Sequence, residues 1–168
     1  MTPRPSVAEL LAAHARFVWR VLAAHGVRSA DVEDATQEVF VTVHRRMDDW
    51  DPARASARHW LHGIAIRVAA NHRRLAHVRR EQGAHLADEP HTAHDPGVAI
   101  DVHRQRERLY AALAKIDADK RAVLVLFELQ ELPMKEVAEI VGCPLQTAYT
   151  RLYAGRSELA ALFGGGER

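Results

Sequence analysis

The chain has 168 residues, 48% of them hydrophobic and 27% charged, with a formal net charge of +1; this is enough apolar material for one domain or two small ones, and it excludes an intrinsically disordered chain. The single cysteine, Cys143, excludes an intrachain disulfide and a cysteine-based zinc site. The N-terminal MTPRPSVAELL lacks a signal-peptide apolar core, and the longest strongly apolar run, Ala122 to Phe127, is too short to span a bilayer, so a cytoplasmic protein is expected.

Taken in chain order, Val7, Leu10, Leu11, Phe17, Val18, Val21 and Leu22 mark a first amphipathic helix ending near His25-Gly26. His14 falls on its apolar face, where a core or interface histidine is the ordinary reading. Ser29 or Asp31 can cap a second helix, whose first turn gathers acids where the helix dipole favours them. Val32, Ala35, Val39, Val43 and Met47 form its inner stripe. The β-branched run VFVTV resembles a strand locally, but the 3.6-residue period continues through it on both sides. Asp34, Gln37, Glu38, Val41 and Arg45 are left facing outward.

A loop follows at Trp50-Asp51-Pro52-Ala53-Arg54-Ala55-Ser56, with Ser56 available as an N-cap. The next helix is long, with Leu61, Ile64, Ala65, Val68, His72 and Leu75 on its buried side. Arg67, Asn71 and Arg74, at i, i+4 and i+7, share another face. A basic face carrying one Asn, next to a loop with Arg54 and Ser56, suits a nucleic-acid backbone and an unstacked base; the plain alternative is a solvated arginine-rich helix.

Periodicity fails from Glu81 to about Asp101, where Pro90, Pro96 and Gly97 appear among acids, which marks a flexible linker. Its His85, His91, His94 and Asp95 could be read as metal ligands, but no pattern fixes their geometry, and no metal or other cofactor is expected. Beyond it Leu109, Ala112, Leu113 and Ile116 repeat a helical stripe, and Asp117 or Asp119 starts another helix running through Leu129.

Met134, Val137, Ala138 and Val141 then form a short amphipathic helix that halts at Gly142-Cys143-Pro144. Pro133 fits its first position and Gly142 the left-handed residue that closes it. Pro144 can open a second helix with apolar Leu145, Ala148, Leu152, Leu159 and Leu162. Its other face offers Gln146, Thr147, Tyr149, Thr150, Arg151, Tyr153 and Arg156, with no acid before Glu158. Two short helices around a Gly-containing turn, the second with an exposed donor-rich face, is the helix-turn-helix arrangement that enters a DNA major groove. Helical hairpins of this kind also occur in proteins that never touch DNA. Gly164-Gly165-Gly166 ends the chain in a frayed tail.

The near-neutral total conceals segregation. Asp31 to Asp51 holds seven acids against two arginines, Arg54 to Arg80 seven arginines and no acid, and Glu81 to Asp101 five acids and no Lys or Arg. Such blocks suit separate partners, one with phosphates and one with a basic protein patch. No catalytic constellation accompanies them: the terminal Gly run is not followed by Lys-Ser/Thr, there is no GxGxxG or GxSxG, and an enzyme is not expected.

Three motifs in order, DVEDATQEVFVTVHRRM, DPARASARHWLHGIA with its Arg-rich sequel, and LPMKEVAEIVGCPLQTAYTRLYAGR, resemble regions two and four of the extracytoplasmic-function sigma factors of bacterial RNA polymerase, from about Phe17 to Leu162. The resemblance implies an all-α fold of two small helical bundles: region two at residues 1–80, an acidic His- and Pro-containing linker at 81–103, region four with its helix-turn-helix at 104–163, and a disordered tail at 164–168. It implies that Asp34, Gln37, Glu38, Val41 and Arg45 dock on the β′ clamp helices of core polymerase, with the β flap as a further contact. It implies that Arg54, Ser56, Arg67 and Asn71 take the melted minus-ten element, with Arg73, Arg74, Arg79 and Arg80 on phosphates. Gln146, Thr147, Tyr149, Thr150, Arg151 and Tyr153 would read the double-stranded minus-thirty-five element while Arg156 neutralises phosphate. The acidic linker resembles those that pass through polymerase channels otherwise occupied by nucleic acid.

The implied function is promoter-specific initiation without chemistry of its own or a small-molecule substrate, in the cytoplasm, on the nucleoid when active, or tethered at the membrane by an anti-sigma factor. The alternative reading is a stand-alone helix-turn-helix regulator. Many members carry a basic residue where this chain has Tyr149 or Ala154, and an Arg where it has Gly63, departures that bear on promoter sequence.

Overall fold

The structure, a computed structural model, describes residues 4–81 and 98–164. Most of the acidic linker, including His85, His91, His94 and Asp95, and the tail beyond Gly164 lie outside the described residues. The chain divides into two compact all-helical units, one built on α1–α3 and the other on α4–α7.

In the first unit α1 (Val7–Ala24) opens on a capping box. The Ser6 N–H and hydroxyl both donate to Glu9 Oε2 (2.7 and 2.8 Å), and the Glu9 N–H donates back to Ser6 Oγ at 3.2 Å. Leu10, Phe17, Val18, Val21 and Leu22 are buried, but Leu11 is exposed. His14 is half-buried with its ring edge-on to Phe17.

Helix α2 (Val32–Arg45) runs through VFVTV. Val39, Phe40 and Val43 turn inward, and Thr42 satisfies its hydroxyl by donating to the Glu38 carbonyl, so β-branched residues sit in this helix without orphaned polar groups. Asp31 occupies the N-cap position, yet its carboxylate pairs with Arg28 at 3.7 Å instead of capping. Met47 is half-buried in a 3₁₀ turn, Met47–Asp49.

Helix α3 (Ala57–Glu81) starts on Ser56, whose Oγ accepts from the His59 N–H. Leu61, Ile64, Ala65 and Val68 are buried as expected, but Leu75 is 50% exposed. The reason is length: 14 residues give α2 about 21 Å and 25 give α3 about 38 Å, so the last turns of α3 run on without α2 beneath them.

In the second unit α4 (Val98–Lys115) begins within the stretch read as linker. Asp117 caps α5 (Ala118–Leu124), its carboxylate accepting from the backbone of Asp119 and Lys120. Arg121 is buried and donates to the Ala114 carbonyl at 3.1 Å, near the end of α4. Helix α5 then widens into a π-helical turn, Val125–Leu129.

Helices α6 (Met134–Val141) and α7 (Leu145–Gly164) flank the turn. Pro133 and Pro144 each stand one residue before their helix, their carbonyls accepting the first helical bonds from Val137 and Ala148. Gly142 adopts φ 68°, ψ 40°. Its N–H bonds to Glu139 and that of Cys143 to Ala138, a Schellman closure. The buried stripe of α7 is Ala148, Leu152 and Gly155; Leu145 and Leu162, expected inside, are exposed because α7 outreaches the short α5 and α6 at both ends. A Cβ at Gly155 would lie 2.6 Å from Leu124 Cδ1, so glycine sets how closely α7 approaches α5.

Candidate functional site

The outer side of α2 carries Asp34, Gln37, Glu38, Val41 and Arg45, all exposed. Their spacing of i, i+3, i+4, i+7 and i+11 makes one stripe along the helix. Val41 is 48% exposed among polar neighbours. Glu38 is not loose: its Oε2 meets Nε2 of His72 on α3 at 3.0 Å. The sequence placed His72 on the buried side of α3; it stands at that side's edge, where it joins the two helices.

Between them lies the loop after Trp50. Trp50 is buried and stacks on Trp60 of α3, with ring centroids 5.2 Å apart and planes within 5°. The Trp50 indole N–H donates to the Ala55 carbonyl at 2.9 Å, and Arg4 donates to the Trp50 carbonyl. Asp51 organises the loop's near end, its carboxylate accepting from the Ala53 N–H and its carbonyl from those of Arg54 and Ala55. Arg54 stands 88% exposed at the tip, 3.5 Å from Asp51. Ser56 uses its lone pair to cap α3 and keeps a hydroxyl proton to donate.

Along α3, Arg67, Asn71 and Arg74 are exposed on one face, and Arg73 and Arg79 are exposed on others. Among the described residues none of these four arginines has an ion-pair partner. Arg80 lies on α3 with its side chain outside the described set. Two histidines flank this machinery. Burial, and secondarily Arg58, pushes His14 below its usual range; burial, and secondarily His59, lowers the pKa of His62 on α3 to about 4.

On α7 the side chains of Gln146, Tyr149, Thr150, Tyr153 and Arg156 are exposed, and those of Thr147 and Arg151 half-buried. The Tyr149 and Tyr153 rings stack, and the Arg156 guanidinium lies over both Tyr153 (6.0 Å) and Phe127 (5.8 Å). Both arginines are engaged. Arg151 Nη2 donates to Asp119 Oδ2 at 2.5 Å, and Arg156 donates through Nε and Nη2 to Glu128 Oε1 at 2.7 and 2.6 Å. Lys120 pairs with Glu158, which raises its pKa. These acids were not found from sequence, because Asp119 and Glu128 lie 32 and 28 residues from their partners. The Trp50–Trp60 clamp was legible in principle, as two tryptophans flanking one loop.

One all-helical unit thus carries a helix-turn-helix whose second helix has an exposed polar face, and the other an acid-bearing helix beside an arginine-rich one, a make-up suited to a protein that meets both DNA and another protein. Residues 10–79 match Sigma-70 region 2 and residues 106–159 match Sigma-70, region 4. The chain is 32% identical over 145 residues to the ECF RNA polymerase sigma factor SigC of Mycobacterium tuberculosis, covering 86% of this chain and 76% of that one. It therefore belongs to the ECF sigma factors of RNA polymerase, which direct promoter-specific transcription initiation through regions 2 and 4 and are not enzymes.

To SigE of Mycolicibacterium smegmatis it is 31% identical over 158 residues, 92% of this chain, and spans 60% of that protein's length. A solved structure of CnrH, a sigma factor of Cupriavidus metallidurans, in complex with the cytosolic domain of CnrY is similar with TM-score 0.69 at 22% identity, covering 96% of this chain and 89% of that one, a likeness of fold alone. The region 2 match sets aside the stand-alone regulator. Among the described residues no helix is long and apolar enough to cross a membrane.

Proposed function

We propose that the outer stripe of α2, Asp34, Gln37, Glu38, Val41 and Arg45, docks on the β′ clamp helices of core polymerase. The loop at Asp51 to Ala57 and the Arg67-Asn71-Arg74 face of α3 then capture the melted minus-ten strand, with Arg54 and Ser56 beside the extruded base and Arg73, Arg74, Arg79 and Arg80 on phosphates. A loop tied by hydrogen bonds to an aromatic clamp favours single-strand capture, because a splayed base needs a surface that keeps its shape. Helix α7 reads the minus-thirty-five element through Gln146, Thr147, Tyr149, Thr150, Arg151 and Tyr153, with Arg156 toward phosphate.

The β flap takes the apolar groove of region 4 lined by Leu109, Leu113, Leu124, Leu129, Leu159 and Phe163. An anti-sigma partner, which binds this chain as the cytosolic domain of CnrY binds CnrH, covers these surfaces in the resting cell and holds the protein in the cytoplasm or at the membrane until release to the nucleoid. The observation that carries this reading is the separation of charge within one unit, with acids outward on α2 and Arg67, Arg73, Arg74 and Arg79 outward on α3 with no ion-pair partner among the described residues.

The test is run-off transcription by a competent bacterial core polymerase with and without the purified chain, on DNA selected from its own genome. Specific initiation that requires the chain is the expected result, with start sites that define both promoter elements. A folded chain that binds the polymerase yet directs no initiation, with no anti-sigma partner present, would overturn the assignment.

A further inference from the structure

The arginines of α7 are arranged differently from those of α3. Arg151 is the central cation of the reading face, yet its side chain is only 26% exposed, drawn against Asp119 of α5, whose own side chain is 65% exposed. Asp119 is not needed to cap α5, since Asp117 does that. An exposed ion pair of this kind is weak enough to yield or to share its guanidinium. Resting on the reading of α7 as the minus-thirty-five helix, we propose that Asp119 is a positioning residue that reserves Arg151 for a base edge by denying it to phosphate.

The physical case has two parts. A long, free arginine beside DNA meets the phosphates, which surround the groove on both sides and reward any cation regardless of sequence. A carboxylate beside that arginine repels phosphate and cancels this sequence-independent attraction. It leaves intact the fork of N–H donors that guanine O6 and N7 accept from, and a fork already fixed loses less freedom on meeting a base. Gln146, Tyr149, Thr150 and Tyr153 add neutral groups, and the Thr150 hydroxyl donates back to the Gln146 carbonyl at 3.0 Å. The face is thus built to discriminate more than to attract.

The experiment uses holoenzyme reconstituted with the full chain and compares its own promoter with the same DNA scrambled at the minus-thirty-five element, over a salt series. Asp119→Ala is expected to lower the promoter-to-scrambled affinity ratio at least about five-fold. It should also steepen the dependence of log affinity on log salt by about 0.9, one newly made phosphate contact. The thermal midpoint of the chain should not fall enough to explain either change, and Asp119→Glu should restore the ratio. An unchanged ratio and slope in Asp119→Ala, while Arg151→Ala loses selectivity, overturns the role of Asp119 alone. Equal weakening on both DNAs in Asp119→Ala also overturns it, because Asp119 would then be merely structural. An Arg151→Ala variant with full selectivity overturns the base contact itself, and the positioning role with it.

Discussion

Mild acid should unfold the first unit through His62. The side chain is buried in α3, and burial, reinforced by His59, places its pKa near 4, whereas in the unfolded chain it returns to about 6.5. A depressed histidine pKa means that the unfolded state takes up the proton first. The stability contribution is therefore fully present above pH 6.5 and is lost as the pH falls toward 4. The drop from about 6.5 to about 4 amounts to ~3 kcal/mol in full and ~2 kcal/mol at pH 5. His14, also depressed by burial, adds in the same direction. All three tryptophans, Trp19, Trp50 and Trp60, lie in this unit, so intrinsic fluorescence during urea unfolding reports it separately from region 4. Unfolding midpoints should drop steeply between pH 6.5 and 4.5 in the native protein and more gently in His62→Gln. Equal slopes in the two proteins would show that another group carries the acid sensitivity and would refute the argument from burial.

Two further substitutions probe the other surfaces. Glu38→Lys should abolish association with core polymerase in a pull-down while moving the fluorescence-detected midpoint only slightly, because the Glu38–His72 contact is an exposed pair of roughly 0 to 1 kcal/mol; undiminished association would remove α2 from the interface. Gly142→Ala should destabilise region 4 by about 1–2 kcal/mol, the cost of a left-handed conformation alone, since a Cβ there meets no heavy atom within 4 Å. Unfolding followed by circular dichroism should show the loss, and an unaltered transition would mean that the turn relaxes to another conformation.

Local periodicity carried most of the fold. The helix through VFVTV, the Ser56 cap, the Gly142 stop and the inward Val32, Ala35, Val39 and Val43 all follow from patterns within a few residues. What could not be read was how far each helix is covered by others. Leu75, Leu145 and Leu162 continue apolar stripes past the ends of the shorter helices beside them, and a period says nothing about a neighbour's length. The candidate surfaces followed the same division. Outward positions on α2, α3 and α7 could be named one by one, but the contacts that fix them could not. His72 reaches Glu38 across 34 residues, Asp119 reaches Arg151 across 32, and the Trp50–Trp60 stack depends on the loop folding back on itself.

Those unforeseen contacts bear on how the proposed promoter reading divides between the two units. On α3, Arg67, Arg73, Arg74 and Arg79 stand exposed with no carboxylate partner among the described residues, so in the proposed reading each released counterion adds to affinity and sequence counts for little. On α7 both arginines are paired with acids of α5 and its π-helical turn, and beside the exposed, paired Arg156 the face offers hydroxyl, amide and aromatic groups. A surface of that kind gains little from the phosphates and depends on matching base edges. The balance suits a two-part promoter. In the proposed reading region 2 grips a strand that it also helps to open, for which strong and permissive attraction serves. Region 4 must settle on one duplex site among many, and excess positive charge there would hold it on the wrong ones. The near-neutral net charge of the chain is in this sense not an average over a solvated surface: part of the acid is placed directly against the cations of α7, where, if α7 is the reading helix as proposed, it would lower attraction to DNA in general and leave discrimination to the neutral groups beside them.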